Sequence, residues 1–107
     1  MTHLSTHVLD AVTGRPAAQV PVALSDADGT ILAEALTDGD GRVSTLYTGE
    51  ASGVLRLRFD TATYFDAHGV TAFYPEVVIA FGITDPDGRY HVPLLLSPYA
   101  YSTYRGS

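Results

Sequence analysis

Cysteine is absent from this chain of 107 residues, so neither a disulfide framework nor a thiolate metal site is available to it. A domain of this size without such staples depends on its hydrophobic core, on partner subunits, or on both. Lysine is absent as well, and all six cationic side chains are arginine: Arg15, Arg42, Arg56, Arg58, Arg89 and Arg105. Compositional bias accounts for exposed arginines in general. Each still merits scrutiny, because guanidinium is the better bidentate binder of planar oxyanions. The formal net charge of −6 comes with no basic cluster, which argues against nucleic acid or an anionic membrane as partner. No window approaches the ~20 apolar residues of a membrane span. The first residues carry neither a basic run nor a long apolar stretch, so no secretory signal is expected. The last residues are not of the Ser-Lys-Leu type. A soluble cytoplasmic protein is the expectation.

What is present is a sequence rich enough in apolar residues to fill one core. Only 17% of residues are charged, which excludes a disordered chain. The length suits a single domain spanning residues 1–107.

Period-two alternation dominates. In residues 54–59, Leu55, Leu57 and Phe59 point one way, and Arg56 and Arg58 the other, as in a half-buried antiparallel strand. Residues 20–25 place Val20, Val22 and Leu24 inward, and residues 30–37 read as the returning strand. Residues 76–84 are apolar on both faces and predict a central or interface strand, with residues 89–96 as its hairpin partner. Three Asp-x-Asp-Gly stretches, at 26–29, 38–41 and 85–88, read as hairpin turns. Alternating aspartates also begin calcium loops, but none of the three continues with the further ligands and closing glutamate of such a loop. Residues 60–68 are the single helical stretch, with Asp60 or Thr61 as cap and Gly69 as terminator. The fold class is therefore all-β, an antiparallel two-sheet β-sandwich with one short helix.

Two strand histidines carry the chemical interest. Alternation sets His7 with Ser5 and Leu9, opposite Leu4, Thr6 and Val8. It sets His91 with Pro93 and Leu95, and Pro93 marks an edge or bulge because proline cannot donate to a ladder. Taken alone, each is more often a structural histidine than a catalytic one. Arg42 follows a turn, where a solvated arginine is ordinary. His3 lies near an end expected to fray, and His68 at a helix end where a cation suits the dipole; neither is assigned a function. The tail 94–107 is unusual, with Tyr99, Tyr101 and Tyr104 in six residues, and an aromatic tail of this kind is expected to pack against something. Residue chemistry alone stops at an all-β domain with two strand histidines and an aromatic tail.

Three stretches carry a resemblance. They are Leu4-Ser5-Thr6-His7-Val8-Leu9-Asp10 with Thr13-Gly14-Arg15-Pro16-Ala17, then Phe73-Tyr74-Pro75-Glu76, then Tyr90-His91-Val92-Pro93-Leu94-Leu95-Leu96-Ser97-Pro98 through Tyr104-Arg105-Gly106-Ser107. In order and over essentially the whole chain, they resemble the 5-hydroxyisourate hydrolases, the transthyretin-related enzymes of urate breakdown. The ending Tyr-Arg-Gly-Ser is the specific part; the transthyretins proper share Leu-Ser-Pro-Tyr-x-Tyr-Ser-Thr without it. His7, Arg42 and His91 also match the enzymes.

The resemblance implies a transthyretin-like sandwich that dimerises through edge strands. Two dimers would then form a homotetramer with active sites at the mouths of a central channel. It implies His7 and His91 as an acid/base pair, and Arg42 as the group that binds and polarises substrate carbonyls. Tyr104 would line the channel, Ser107 would hydrogen-bond substrate, water or histidine, and Arg105 would be structural. No metal, cofactor or covalent nucleophile is implied. Two other readings stand beside it: a non-catalytic tetramer that carries a small aromatic ligand, and a structural β-sandwich interaction domain.

Overall fold

The computed structural model describes residues 1–107. Its elements are β1 (Thr2–Asp10), β2 (Arg15–Pro16), β3 (Pro21–Ser25), β4 (Ile31–Leu36), β5 (Arg42–Gly49), β6 (Gly53–Phe59), α1 (Thr61–Ala67), β7 (Val77–Ile83), β8 (Arg89–Leu96) and β9 (Tyr101–Thr103). They form two sheets. In one, β1 pairs with β8 on one side and with β5 and β2 on the other, and β9 follows β8; the second runs β4-β3-β6-β7.

The alternation read from the sequence is the alternation observed. Leu55, Leu57 and Phe59 are buried while Arg56 and Arg58 are exposed. Along β1, Thr2, Leu4, Thr6, Val8 and Asp10 face the core, leaving His3, Ser5, His7 and Leu9 half-buried on the outer face. One cluster of 19 buried apolar residues fills the space between the sheets, with Leu4, Leu24, Leu57, Phe59 and Leu94 wholly enclosed. Polar groups inside are satisfied. Tyr64 of α1 donates to Asp10 Oδ2 at 2.8 Å, while Asp10 Oδ1 accepts from the backbone of Val12 and Thr13. Burial and that bond push the Tyr64 hydroxyl up to about 12. Helix α1 starts where expected, with Asp60 as N-cap accepting from Thr63 N, and Gly69 at φ +67° follows its end.

Three expectations need correction. Residues 89–96 are not the hairpin partner of 76–84: β7 pairs only with β6, while β8 lies in the other sheet, parallel to β1 over its whole length. The Asp85–Gly88 turn thus carries the chain across the sandwich, as does Asp38–Gly41 between β4 and β5; only Asp26–Gly29 closes a hairpin. All three use the same local chemistry, an Asp Oδ1 accepting backbone N–H groups two to four residues on. That chemistry reverses the chain without choosing the sheet it returns to. Burial of Tyr90 decides the last case. Its hydroxyl accepts from Thr84 N and Asp85 N and donates to Asp85 O, pinning the turn over the end of the core.

The N-terminal strand does not fray: Thr2 is fully buried, donates its hydroxyl to Pro86 O, and pairs with Gly49. The tail is laid down by its backbone and by one ring contact, Tyr101 standing edge-on to Tyr74 with ring centroids 5.2 Å apart. β9 pairs with β8, yet Tyr99, Tyr101 and Tyr104 remain exposed in the single chain.

Candidate active site

On the outer face of the first sheet, β1 sets the geometry. Its parallel register with β8 aligns His3 with Arg89, Ser5 with His91 and His7 with Pro93. Its antiparallel register with β5 sets Arg42 directly across from His7. Directly opposed residues hold their Cβ atoms about 4.5–5.5 Å apart, so these side chains share one small surface.

Arg42 is held there by its neighbours. Val8 N donates to Gly41 O, and Arg42 N donates to Asp38 Oδ1 at 2.9 Å. Gly41 sits at φ +72°, and a Cβ there would overlap Val8 O, so this close approach to β1 requires glycine.

The resulting cleft, of about 340 Å³, is lined by His3, Ser5, Thr6, Arg42, Ser44, Arg89, Tyr90, His91 and Ser107. It holds two guanidinium groups and no Asp or Glu side chain, and neither arginine has a carboxylate within salt-bridge distance. A polar, cationic cleft in an acidic protein suits a small ligand rich in carbonyl oxygens or negative charge.

His91 is the best-seated group. Its Nδ1 lies 2.8 Å from Ser5 Oγ. Its carbonyl accepts from Gly106 N at 2.8 Å, and the Gly106 backbone lies so close to the ring that a Cβ would overlap Cδ2. Pro93 falls beside the gap between this bridge and β9, where no tail N–H–acceptor pairing is needed; Thr103 Oγ1 bonds its carbonyl instead. Burial, then the charges of Arg42 and His7, hold the His91 imidazole below its ordinary range, with a hydrogen bond to the Ser5 backbone acting the other way.

Of the residues singled out from sequence, His91, Arg42 and Ser107 meet in this cleft, and His7 flanks it on the same face of β1, across from Arg42. Tyr104 lies instead in an adjoining cleft with Ile79, Phe81, Tyr90 and Val92. Arg105 stacks over the Tyr90 ring at 4.7 Å, anchoring the tail. His3, Ser44 and Arg89 were missed. His3 and Ser5 stand in step with His7, and Arg89 in step with His91, so period-two spacing was the available signal.

Fold and cleft together define a two-sheet β-sandwich with a cationic, histidine-bearing site on the outer face of one sheet. Comparison with known proteins agrees. The HIUase/Transthyretin family model matches residues 4–106. The 5-hydroxyisourate hydrolase of Caulobacter vibrioides is 47% identical over 116 residues, covering 100% of both chains. That of Mus musculus is 41% identical over 111 residues, covering 97% of this chain and 94% of its own. Among solved structures, Klebsiella pneumoniae 5-hydroxyisourate hydrolase superposes with a TM-score of 0.90 at 38% identity, covering 98% of this chain and 99% of that one. Sea bream transthyretin in complex with thyroxine superposes with a TM-score of 0.87 at 37% identity, covering 96% and 93%. The chain belongs to the HIUase/Transthyretin family.

Two outcomes are expected. Replacing Gly106 by Ala should displace the His91 ring, seen as a large shift of its ring proton resonances, with little loss of thermal stability; unchanged resonances would show that the tail does not seat the ring. The folded His91 should titrate below a free imidazole, and so be the less charged of the two across the titration range. Removing the positive charge in Arg42→Met should raise that midpoint toward 6.5, followed by proton NMR.

Proposed function

We propose that this protein hydrolyses 5-hydroxyisourate, the substrate for which its relatives are named, and that the product is 2-oxo-4-hydroxy-4-carboxy-5-ureidoimidazoline. The observation that carries this reading is the convergence of His91, Arg42 and Ser107, from three distant parts of the chain, in one cleft without Asp or Glu beside His7. Hydrolysis of a ring amide needs an activated water, a counter-charge for the developing oxyanion, and a grip on a planar ligand.

His91 suits the first task. A depressed proton affinity keeps it neutral and able to take a proton from water near pH 7. Arg42 supplies a permanent planar charge for the carbonyl oxygen that becomes negative as water adds. His7, across from Arg42, completes the acid/base pair by giving a proton to the departing ring nitrogen, and the proton that His91 took from water then replaces it, so both histidines end as they began. The acyl C–N bond breaks, the water oxygen stays on the new carboxyl group, and the nitrogen leaves protonated. Ser107 hydrogen-bonds the attacking water or the substrate. Neither a metal nor a covalent enzyme intermediate enters the sequence of steps.

Similarity to a thyroxine-bound transthyretin keeps a carrier reading in view. The lining argues for the hydrolase. Only one of the nine residues of the cleft is hydrophobic, whereas sites for large apolar ligands are lined mostly by apolar side chains.

The homotetramer belongs to the same proposal. Strand β7 is apolar and pairs on one side only, and Val78 on it and Tyr99, Tyr101 and Tyr104 on the tail are exposed. Unpaired apolar edges invite a second copy. In such an assembly Tyr104 would reach a channel wall. Sedimentation should therefore give a species of four chains; a monomer at micromolar concentration would remove the channel from the proposal. No helix is long and apolar enough to cross a membrane.

The deciding assay is turnover. Freshly generated 5-hydroxyisourate, followed by its ultraviolet absorbance, should decay far faster with purified protein than in buffer. His91→Ala and His7→Ala should each lose roughly 10²–10⁴-fold in rate. Decay no faster than buffer with a folded wild-type protein would refute the activity and favour a carrier.

A further inference from the structure

The reading above leaves open how His91 presents the correct ring nitrogen to water. A neutral imidazole bears one proton, and its position decides which nitrogen can accept another. Three features of the structure bear on this. Ser5 Oγ lies 2.8 Å from Nδ1, and it is the only protein group hydrogen-bonded to the ring. The Gly106 backbone is pressed against Cδ2, so the ring cannot swing away from Ser5 on that side. Nε2 has no partner in the protein, yet no buried polar side-chain atom is left unpaired; Nε2 is therefore open to the cleft.

We infer that Ser5 is a positioning residue that accepts the Nδ1–H of His91 and thereby presents Nε2 to the cleft as the bare, proton-accepting nitrogen. This rests on the hydrolase reading and deepens it. The parallel register that sets Ser5 beside His91 is a property of the backbone, so the contact exists before any ligand arrives. When Nε2 takes a proton from water, the ring becomes an imidazolium, and its Nδ1–H is already donated to Ser5 Oγ. The Ser5 hydroxyl proton stays on oxygen throughout. The new charge faces Arg42, His7, His3 and Arg89, with no Asp or Glu side chain in the cleft to offset it. A hydroxyl that already accepts Nδ1–H favours the charged ring as well, and so supports the state that must form during the reaction. The arrangement parallels histidines elsewhere whose second nitrogen is oriented by an outer partner, with an uncharged hydroxyl in place of a carboxylate.

The test uses protein labelled with ¹⁵N at histidine, at a pH above the His91 titration. Wild type should show a protonated Nδ1 and an unprotonated Nε2 for His91. Ser5→Ala should shift the ring toward a mixture of tautomers, lower kcat about tenfold, the rate equivalent of one hydrogen bond, and leave KM nearly unchanged. Ser5→Thr keeps the hydroxyl and should restore both the nitrogen shifts and kcat. A wild-type ring protonated at Nε2, or Ser5→Ala with unaltered shifts and kcat, would overturn the inference. The nitrogen shifts are read without substrate, so they judge Ser5 even if wild type proves to have no turnover, an outcome that would count against the hydrolase reading alone.

Discussion

Strand β1 is hydrogen-bonded on both sides, parallel to β8 and antiparallel to β5, and the remainder of the molecule is arranged around that double pairing. Its inward residues anchor the core through Leu4 and Val8. Its outward residues form the floor of the cleft. Because side chains alternate strictly along a strand, a one-residue slip of β8 against β1 would turn His91 into the core and Tyr90 out of it. The same register that buries Tyr90 therefore sets Ser5 against the His91 ring. Packing free energy and site geometry are specified by a single set of backbone hydrogen bonds.

The outer shell adds two close approaches that only glycine permits. Gly41 lets the β4–β5 crossing touch β1 and so delivers Arg42 opposite His7. Gly106 lets the tail lie flat on the His91 ring and carry Ser107 into the cleft. Arg105, stacked on Tyr90, ties that tail to the residue that also pins the β7–β8 turn. The site is assembled from strand backbone and turn backbone, with few side-chain contacts needed to hold it.

Much of this was legible in the sequence, and what was not had a physical reason. Alternation identified β3, β6 and the faces of β1 correctly, because burial on one side of a sheet leaves a local period of two. The Asp60 cap and Gly69 stop bounded α1 for equally local reasons. The pairing of β8 with β1 has no local signature: its partners lie 86 residues apart in the contact of Thr6 with Val92, and nothing near either strand records the other. The sheet crossings were hidden because Asp-x-Asp-Gly dictates reversal and is silent about destination. His3 and Arg89 were given no role in the site because each was judged by its own neighbourhood. Only the β1–β8 register makes them members of one surface. The tail motif pointed to Ser107 through resemblance, while Ser5 was visible only as a residue in step with His7.

The fit between Gly106 and the His91 ring also constrains how a chain of this design could change. Any side chain at 106 collides with the ring, so a substitution there displaces the imidazole unless position 91 has already become smaller. The reverse change meets no such barrier, since a smaller residue at 91 leaves Gly106 merely unpacked. The two positions are thus epistatic with a direction. A lineage leaving this chemistry for simple ligand carriage would cross the ridge by losing the imidazole first and would be free to rewrite its tail afterwards. Returning would demand both changes in the opposite order, which makes the loss hard to undo.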